Sequence, residues 1–382
     1  MTMMALGQTA RFINGAAFKP TDWGNEGLPI IRIQNLTGTG EKFNFTTRQV
    51  KAELIVEPGD LLVSWSATLD VYRWAGPRGL LNQHIFKVLP KSEIDPDYLF
   101  FALKSALAEL SSKTHGSTMK HVVRGDFEST QIRVPPLEEQ RRIVDILSRA
   151  EGIVRLRCEA QKKTTELIPG IFLDMFGDPA TNPKGWPRAL LGKLLNSIDS
   201  GQSPKCHSRQ KLSNEWGVLR LSAISPCDYD EAKHKALPTE ISPDLSVEVQ
   251  AGEVLLSRKN TYELVGASAY VWKTEGKILL PDLIFRLSIG DHERLHPIYL
   301  WKLLTIPSKR ELLRTLASGS AGSMPNISKQ RLRTLEIEVP PLGLQARFAE
   351  SVEQIRSIQS QQSAATEKAE ATFDALMTQV FS

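Results

Sequence analysis

Cysteine is scarce in this chain: Cys158, Cys206 and Cys227 are the three among 382 residues, and no two form a CxxC pair. That spacing excludes a zinc ribbon and a thioredoxin-like redox pair, and it fits reduced thiols in a cytosolic protein. No stretch approaches the roughly 18 consecutive apolar residues of a membrane-spanning helix. The opening MTMMALGQTARF also lacks a charged segment followed by an apolar core. The chain is expected to be neither exported nor membrane-spanning. Catalytic signatures are missing as well. There is no Asp/Asn-Pro-Pro-Phe/Tyr element to hold an amino group beside a methyl donor. Nor is there a phosphate loop, since Gly276-Lys277 is followed by Ile278. Glu231-Ala232-Lys233 and Glu275-Gly276-Lys277 carry the ExK half of a nuclease site without an upstream acidic partner. His207 and His234 fit no paired-histidine metal motif and read as loop histidines.

What the sequence does have is a duplication. Residues 134 to 177 recur as 339 to 382 at a constant offset of 205, beginning Val134-Pro135-Pro136-Leu137 and Val339-Pro340-Pro341-Leu342, with Gln140 echoed by Gln345. Upstream, more pairs follow in the same order at smaller offsets. Gly7 matches Gly192, Gly15 matches Gly201, and Arg32 matches Arg220. Gly59-Asp60-Leu61-Leu62 matches Gly252-Glu253-Val254-Leu255, Ile85-Phe86-Lys87 matches Ile284-Phe285-Arg286, and Tyr98 matches Tyr299. The offset only grows, so the second copy differs by short insertions of the kind that surface loops tolerate. With 41% hydrophobic and 24% charged residues the chain can bury real cores. A net charge of +4 and a pI near 8.8 permit a polyanionic partner without requiring one.

Each copy reads as a mixed α/β globular head followed by a long helix. Pro29 to Ile33 and Asp60 to Trp65 have strand character, with a turn at Pro58-Gly59. Helical spacing runs from Tyr98 to Leu110 behind Asp97 as a cap, and again from Tyr299 through Leu316. A diproline forces the residue before it out of the helical region, so each Val-Pro-Pro-Leu is a rigid elbow between head and helix. The helices span about 40 residues, on the order of 60 Å each. In the second, Phe348, Val352, Ile355, Gln359, Gln362, Thr366, Ala369, Phe373 and Leu376 form a coiled-coil seam with a polar middle. The expected fold class is α+β, with two heads separated by two long helices packed as an antiparallel coiled coil about an internal pseudo-two-fold axis. The expected domains are 1–133, 134–178, 179–338 and 339–382.

The chain resembles the specificity subunit of type I restriction-modification systems. The resemblance is carried by the paired Val-Pro-Pro-Leu-x-x-Gln elbows with their helices and by the Pro58-Gly59-Asp60-Leu61-Leu62 turn-strand with its echo. The stretch from Leu167 to Gly177 followed by Asp178-Pro179 and Trp186 also belongs to it. One departure is Gly343, where the first elbow has Glu138. The resemblance implies two target-recognition domains, each reading one half of a bipartite asymmetric site in double-stranded DNA. It also implies helices that set the spacing and dock two DNA methyltransferase subunits, with restriction/translocase subunits joining them in a prokaryotic cytoplasm. S-adenosylmethionine, ATP and Mg would belong to those partners, leaving this chain non-catalytic and without a cofactor or metal of its own.

Base readout calls for Arg, Lys, Asn, Gln and Ser on groove-facing loops, and phosphate contact for donors and positive charge. After the shared turn-strand the copies diverge, to Ser64, Trp65 and Ser66 in one and to Arg258, Lys259 and Asn260 in the other. A second candidate cluster is the Gly/Ser loop of each copy with its basic sequel. It comprises Lys113, His115, Ser117, Lys120, His121 and Arg124, then Ser320, Ser323, Asn326, Lys329 and Arg331. Lys205, Arg209 and Arg220 have no matching cluster in the first copy and rank lower. The residues also leave open a non-catalytic coiled-coil scaffold whose two heads bind protein.

Overall fold

The computed structural model describes residues 2–40, 42–66, 68–113, 124–318 and 324–381. The chain forms two compact units, Met1–Glu159 with Ser363–Ser382, and Ala160–Gln362. Each therefore holds one mixed head and a portion of both long helices.

In the first unit the elements are β1 (Thr2–Ala5), α1 (Leu6–Thr9), β2 (Ala10–Asn14), β3 (Leu28–Ile31), α2 (Ile33–Thr37), β4 (Asn44–Thr46) and β5 (Ile55–Val56). They continue with β6 (Leu61–Ser64), β7 (Asp70–Arg73), β8 (Gly79–Leu81), β9 (Ile85–Pro90), α3 (Pro96–Lys113), α4 (Arg124–Ser129), β10 (Gln131–Val134) and the start of α5 (Leu137–Phe176). The second unit carries β11 (Arg188–Leu190), α6 (Leu191–Leu194), β12 (Leu195–Asp199), β13 (Gly217–Leu219), β14 (His234–Ala236), β15 (Val254–Ser257) and β16 (Ser268–Tyr270). There follow β17 (Ile278–Leu279), β18 (Ile284–Ile289), α7 (Pro297–Thr305), α8 (Pro307–Thr315), α9 (Lys329–Arg333), β19 (Glu336–Glu338) and the start of α10 (Leu342–Phe381).

Strand pairing repeats between the units. An antiparallel sheet ordered β2-β9-β6-β7 in the first corresponds to β12-β18-β15-β16 in the second. A smaller mixed sheet pairs β3 with β8 in parallel in one unit, and β13 with β17 in parallel in the other. The ladders β1-β10 and β11-β19 close each head just before its elbow.

The duplicated residues have duplicated tasks. Lys87 meets Asp60 at 2.6 Å and donates to the Ile55 carbonyl at 2.8 Å. Its counterpart Arg286 meets Glu253 at 2.9 Å and donates to the Glu248 carbonyl at 3.2 Å. Tyr98 donates its hydroxyl to Arg133 O at 2.6 Å, and Tyr299 donates to Glu338 O at 3.0 Å, tying each head helix to the strand before the elbow. Burial pushes the Tyr98 phenol up to about 12 and raises Tyr299 as well, so both stay donors at ordinary pH. A Cβ on Gly15 would sit 2.0 Å from the Asn82 carbonyl oxygen, and one on Gly201 would sit 1.8 Å from that of Leu280. Only glycine fits either place.

At each elbow a fully buried glutamine joins helix to head. Gln140 Nε2 donates to the carbonyls of Pro135 and Glu93 at 2.9 and 3.1 Å, and its Oε1 accepts from Asp95 N at 2.8 Å. Gln345 Nε2 donates to Pro340 and Arg294 carbonyls at 2.7 and 2.8 Å, and its Oε1 accepts from His296 N at 2.9 Å. Within each unit the long helices run in opposite directions. In the second, Phe172 and Phe176 lie edge-on to Phe348 at 5.6 and 5.5 Å, and Gln359 donates to the Thr164 carbonyl at 2.9 Å. In the first, Ile143 and Leu147 share a core with Phe373, Leu376 and Phe381. The α5 helix continues through Pro169 to Phe176.

Three sequence expectations need correction. The cap of α3 is Asp95, whose Oδ1 accepts from the backbone N–H groups of Asp97 and Tyr98 at 2.9 and 3.2 Å, because Pro96 takes the first helical position. The helix expected from Tyr299 through Leu316 is two helices, since Pro307 holds Ile306 extended at φ −63° and ψ 134°. The strand expected from Pro29 to Ile33 ends at Ile31, and Ile33 begins α2.

Candidate nucleic-acid interface

In the second unit β15 lies between β18 and β16 with all four residues buried. The chain leaves the sheet at Arg258. There its N–H donates to the Leu283 carbonyl at 3.0 Å, and its own carbonyl accepts from Ile327 N at 2.8 Å. Lys259 pairs with Asn326 as an antiparallel bridge, and Asn326 pairs in turn with Ser318. Asn260 is buried and turns its Oδ1 to the N–H of Thr261 at 2.9 Å. Arg258, Lys259 and Asn260 and the described start of the second cluster at Asn326 are therefore one assembly, knitted by backbone hydrogen bonds between residues 258–260 and 325–327.

An aromatic ring lies beneath it. The Arg258 guanidinium carbon lies 5.5 Å from the Phe285 ring centroid and the Lys329 ammonium 5.8 Å from it, so two cations share one ring of β18. Lys329 opens α9, which Ser328 caps by accepting from Arg331 N at 3.2 Å. Arg331 turns aside and donates to the Leu316 carbonyl at 3.3 Å.

The first unit has the same frame with other groups on it. Trp65 follows β6 as Arg258 follows β15, and its N–H donates to the His84 carbonyl at 3.4 Å. The indole stacks on Phe86 at 5.8 Å and 25°, and His84 lies 5.4 Å away. Arg124, the counterpart of Lys329, lies 5.6 Å over the same Phe86. Its charge is matched by Glu128 at 2.8 Å, and it also donates to the Phe12 carbonyl at 3.1 Å. Ser64 is turned inward, donating to the carbonyl of Thr68, and Ser66 is half-buried. The side chain of Lys113, and His115, Ser117, Lys120, His121, Ser320 and Ser323, lie outside the described residues.

Phe86 and Phe285 were not among the sequence candidates, although both belong to a repeated tripeptide. Tyr262, an exposed aromatic two residues beyond Asn260, was missed as well. Its hydroxyl bonds Glu311 at 3.1 Å, which raises its pKa, and Arg314 lies 5.7 Å over its ring. Arg209, ranked lower, is matched by Glu215 at 2.5 Å, and Arg220 donates to the Ser208 carbonyl at 2.7 Å. The ExK carboxylate of Glu231 accepts from Glu275 N at 3.1 and 3.0 Å. No group of three or more His, Cys, Asp or Glu side chains among the described residues is placed to hold a metal ion. No helix among them is long and apolar enough to cross a membrane.

Comparison with known proteins adds to this geometry. Residues 1–164 match the family model of the type I restriction modification DNA specificity domain. Over 212 residues the chain is 31% identical to the type I restriction enzyme EcoEI specificity subunit of Escherichia coli, a match covering 55% of this chain and 35% of that protein. The chain thus spans about a third of that relative's length. The EcoBI specificity subunit of Escherichia coli is 20% identical over 390 residues, covering 92% of this chain and 78% of its own. Among solved structures, the type I restriction-modification S subunit from M. genitalium superposes with a TM-score of 0.59 at 13% identity. That superposition covers 100% of this chain and 96% of that one, and it shows a shared fold.

Proposed function

We propose that the chain is a specificity subunit of a type I restriction-modification system, in which each head, within residues 1–133 and 179–338, reads one half of a bipartite, asymmetric DNA site. The long helices set the spacer between the halves as a coiled coil and dock two methyltransferase subunits, with restriction/translocase subunits joining them. The chain performs no catalysis. S-adenosylmethionine, ATP and Mg act on the partners.

The observation that carries this reading is one frame bearing two chemistries. The residue leaving the central strand sits beside a phenylalanine of the neighbouring strand and a cation from a short helix in both units. It is an indole in one and a guanidinium in the other. A structural or protein-docking role gives no reason for the two frames to match while their outward groups differ. Reading two different half-sites does, because phosphate contacts position a protein and side chains at base edges specify the sequence.

Replacing Arg258, Lys259 and Asn260 together with alanine is expected to lower affinity by at least about tenfold through one half-site and to leave preference at the other unchanged. Binding of duplexes with each half scrambled in turn, repeated across a salt series, checks this. Equal weakening through both halves would mean general phosphate contact. Binding that ignores salt would favour a protein-binding scaffold, since phosphate-contacting proteins lose affinity steeply as counterions compete.

A further inference from the structure

We propose that Arg258 reads a guanine in the half-site of the second unit, donating two hydrogen bonds from its guanidinium fork to the O6 and N7 edge. The inference rests on the DNA-specificity reading above and names the residue and base through which one head discriminates.

Arg258 is half-buried, yet among the described residues its side chain makes neither an ion pair nor a hydrogen bond. Its Nε is buried without a partner. Other arginines of this unit are engaged through their terminal nitrogens, although the Nε of Arg220, Arg310 and Arg314 is likewise buried without a partner. Arg286 meets Glu253, Arg310 donates to the Glu263 carbonyl, Arg314 meets Glu311, and Arg356 meets Asp228. Drawing a guanidinium partly out of water with no acceptor costs stability, and that cost is recovered only when a ligand supplies acceptors.

Two neighbours share the deficit. Ser257 Oγ, on a fully buried residue, and Asn326 Oδ1 are also buried without hydrogen-bond partners. At the same position in the first unit Ser64 Oγ is satisfied by the carbonyls of Thr68 and Asp70. In the second unit Arg258, Ser257 and Asn326 thus leave unfilled polar capacity together at the residue where the two copies diverge, whereas the first unit has His84 Nδ1 in that state beside Trp65.

Geometry separates base from backbone. The Arg258 main chain is held on both sides, by Leu283 and Ile327, and its guanidinium is set over the Phe285 ring. A planar fork fixed in this way matches the paired acceptors of guanine, the commonest specific contact in the major groove. The more exposed Lys329 suits a phosphate, where a mobile point charge is enough.

The test uses the full chain in complex with its methyltransferase partner and duplexes carrying the motif that this complex methylates. Each base pair of the second unit's half is substituted in turn. The wild-type complex is expected to lose about ten- to a hundredfold in affinity when one particular G·C pair is replaced. Arg258→Ala should bind the original and that substituted duplex alike while still discriminating at the other pairs. Arg258→Lys keeps the charge over Phe285 without the fork, so it should lose the same discrimination and keep the wild-type salt dependence. The inference is overturned if Arg258→Ala weakens every duplex by one common factor that Arg258→Lys restores, which is the behaviour of a phosphate contact. It is also overturned if the half-site contains no G·C pair, or if the pair affected is A·T. A wild-type complex without any sequence preference overturns the DNA-specificity reading itself, and this inference with it.

Discussion

Replacing Gln345 with leucine is expected to destabilise the second unit by about 3 kcal/mol or more, and Gln140→Leu should do the same to the first. Leucine is close to glutamine in size, so the loss does not come from a cavity. It comes from the backbone groups left behind. The Gln345 amide satisfies the N–H of His296 and the carbonyls of Arg294 and Pro340 from a fully buried position. Each buried group left unpaired costs about 1–3 kcal/mol. The Arg294 and His296 groups belong to the turn that starts the head helix α7, while Pro340 is the elbow itself. The substitution should therefore free the head from its helix before it melts the sheet. Amide hydrogen exchange resolved by segment checks this: protection should fall around residues 294–306 and 340–350 in Gln345→Leu, and around 93–103 and 135–145 in Gln140→Leu. Wild-type protection in those segments would show that the glutamines do not join head to helix.

A comparable loss is expected from Lys309→Met, about 3–5 kcal/mol, confined to the second unit. The Lys309 and Glu338 side chains are 3% and 4% exposed and meet at 2.7 Å. Lys309 also donates to the Glu336 carbonyl at 3.1 Å, and Arg188 reaches the other oxygen of Glu338 at 3.1 Å. Removing the lysine leaves a buried carboxylate with one half-exposed partner, and an uncompensated buried charge costs far more than the pair itself contributes. Lys309→Met with Glu338→Leu should accordingly recover most of the loss. Denaturant unfolding followed by a probe in the second unit measures both variants. A double variant as unstable as the single one would mean that Glu338 acts through Arg188 or the strand β19 rather than through Lys309. The first unit has Arg133 at the position of Glu338, so this ion pair belongs to one copy alone.

The duplication was legible because the matched residues are the ones whose geometry leaves no alternative. Gly15 and Gly201 face carbonyl oxygens too close for a Cβ. Gln140 and Gln345 each fill three backbone hydrogen bonds, and Asp60 with Lys87 and Glu253 with Arg286 clasp adjacent strands of the same sheet. Such requirements persist while loops change, so a constant order of pairs survives in one chain. The divergent residues after β6 and β15 were legible for the opposite reason, as differences on a shared frame. What could not be read was the ring beneath them. A phenylalanine inside an alternating strand looks like core, and only the fold places Trp65 and Arg124 over Phe86, and Arg258 and Lys329 over Phe285. Nor does spacing reveal that residues 325–327 form backbone hydrogen bonds with 258–260, because that pairing links segments about 65 residues apart through non-local bridges. The break before Pro307 was written in the sequence but outweighed by apolar spacing on both sides of it.

The central claim is tested most directly by expressing this chain with the methyltransferase subunit proposed to dock on it, in cells without other methylation, and mapping modified bases across the genome. The account predicts a bipartite, asymmetric motif that appears only when the chain is present, and whose second half alone changes when residues 179–338 are replaced by the corresponding head of a type I specificity subunit of different sequence preference. A motif that is present without this chain, or one whose two halves change together on that replacement, would contradict it.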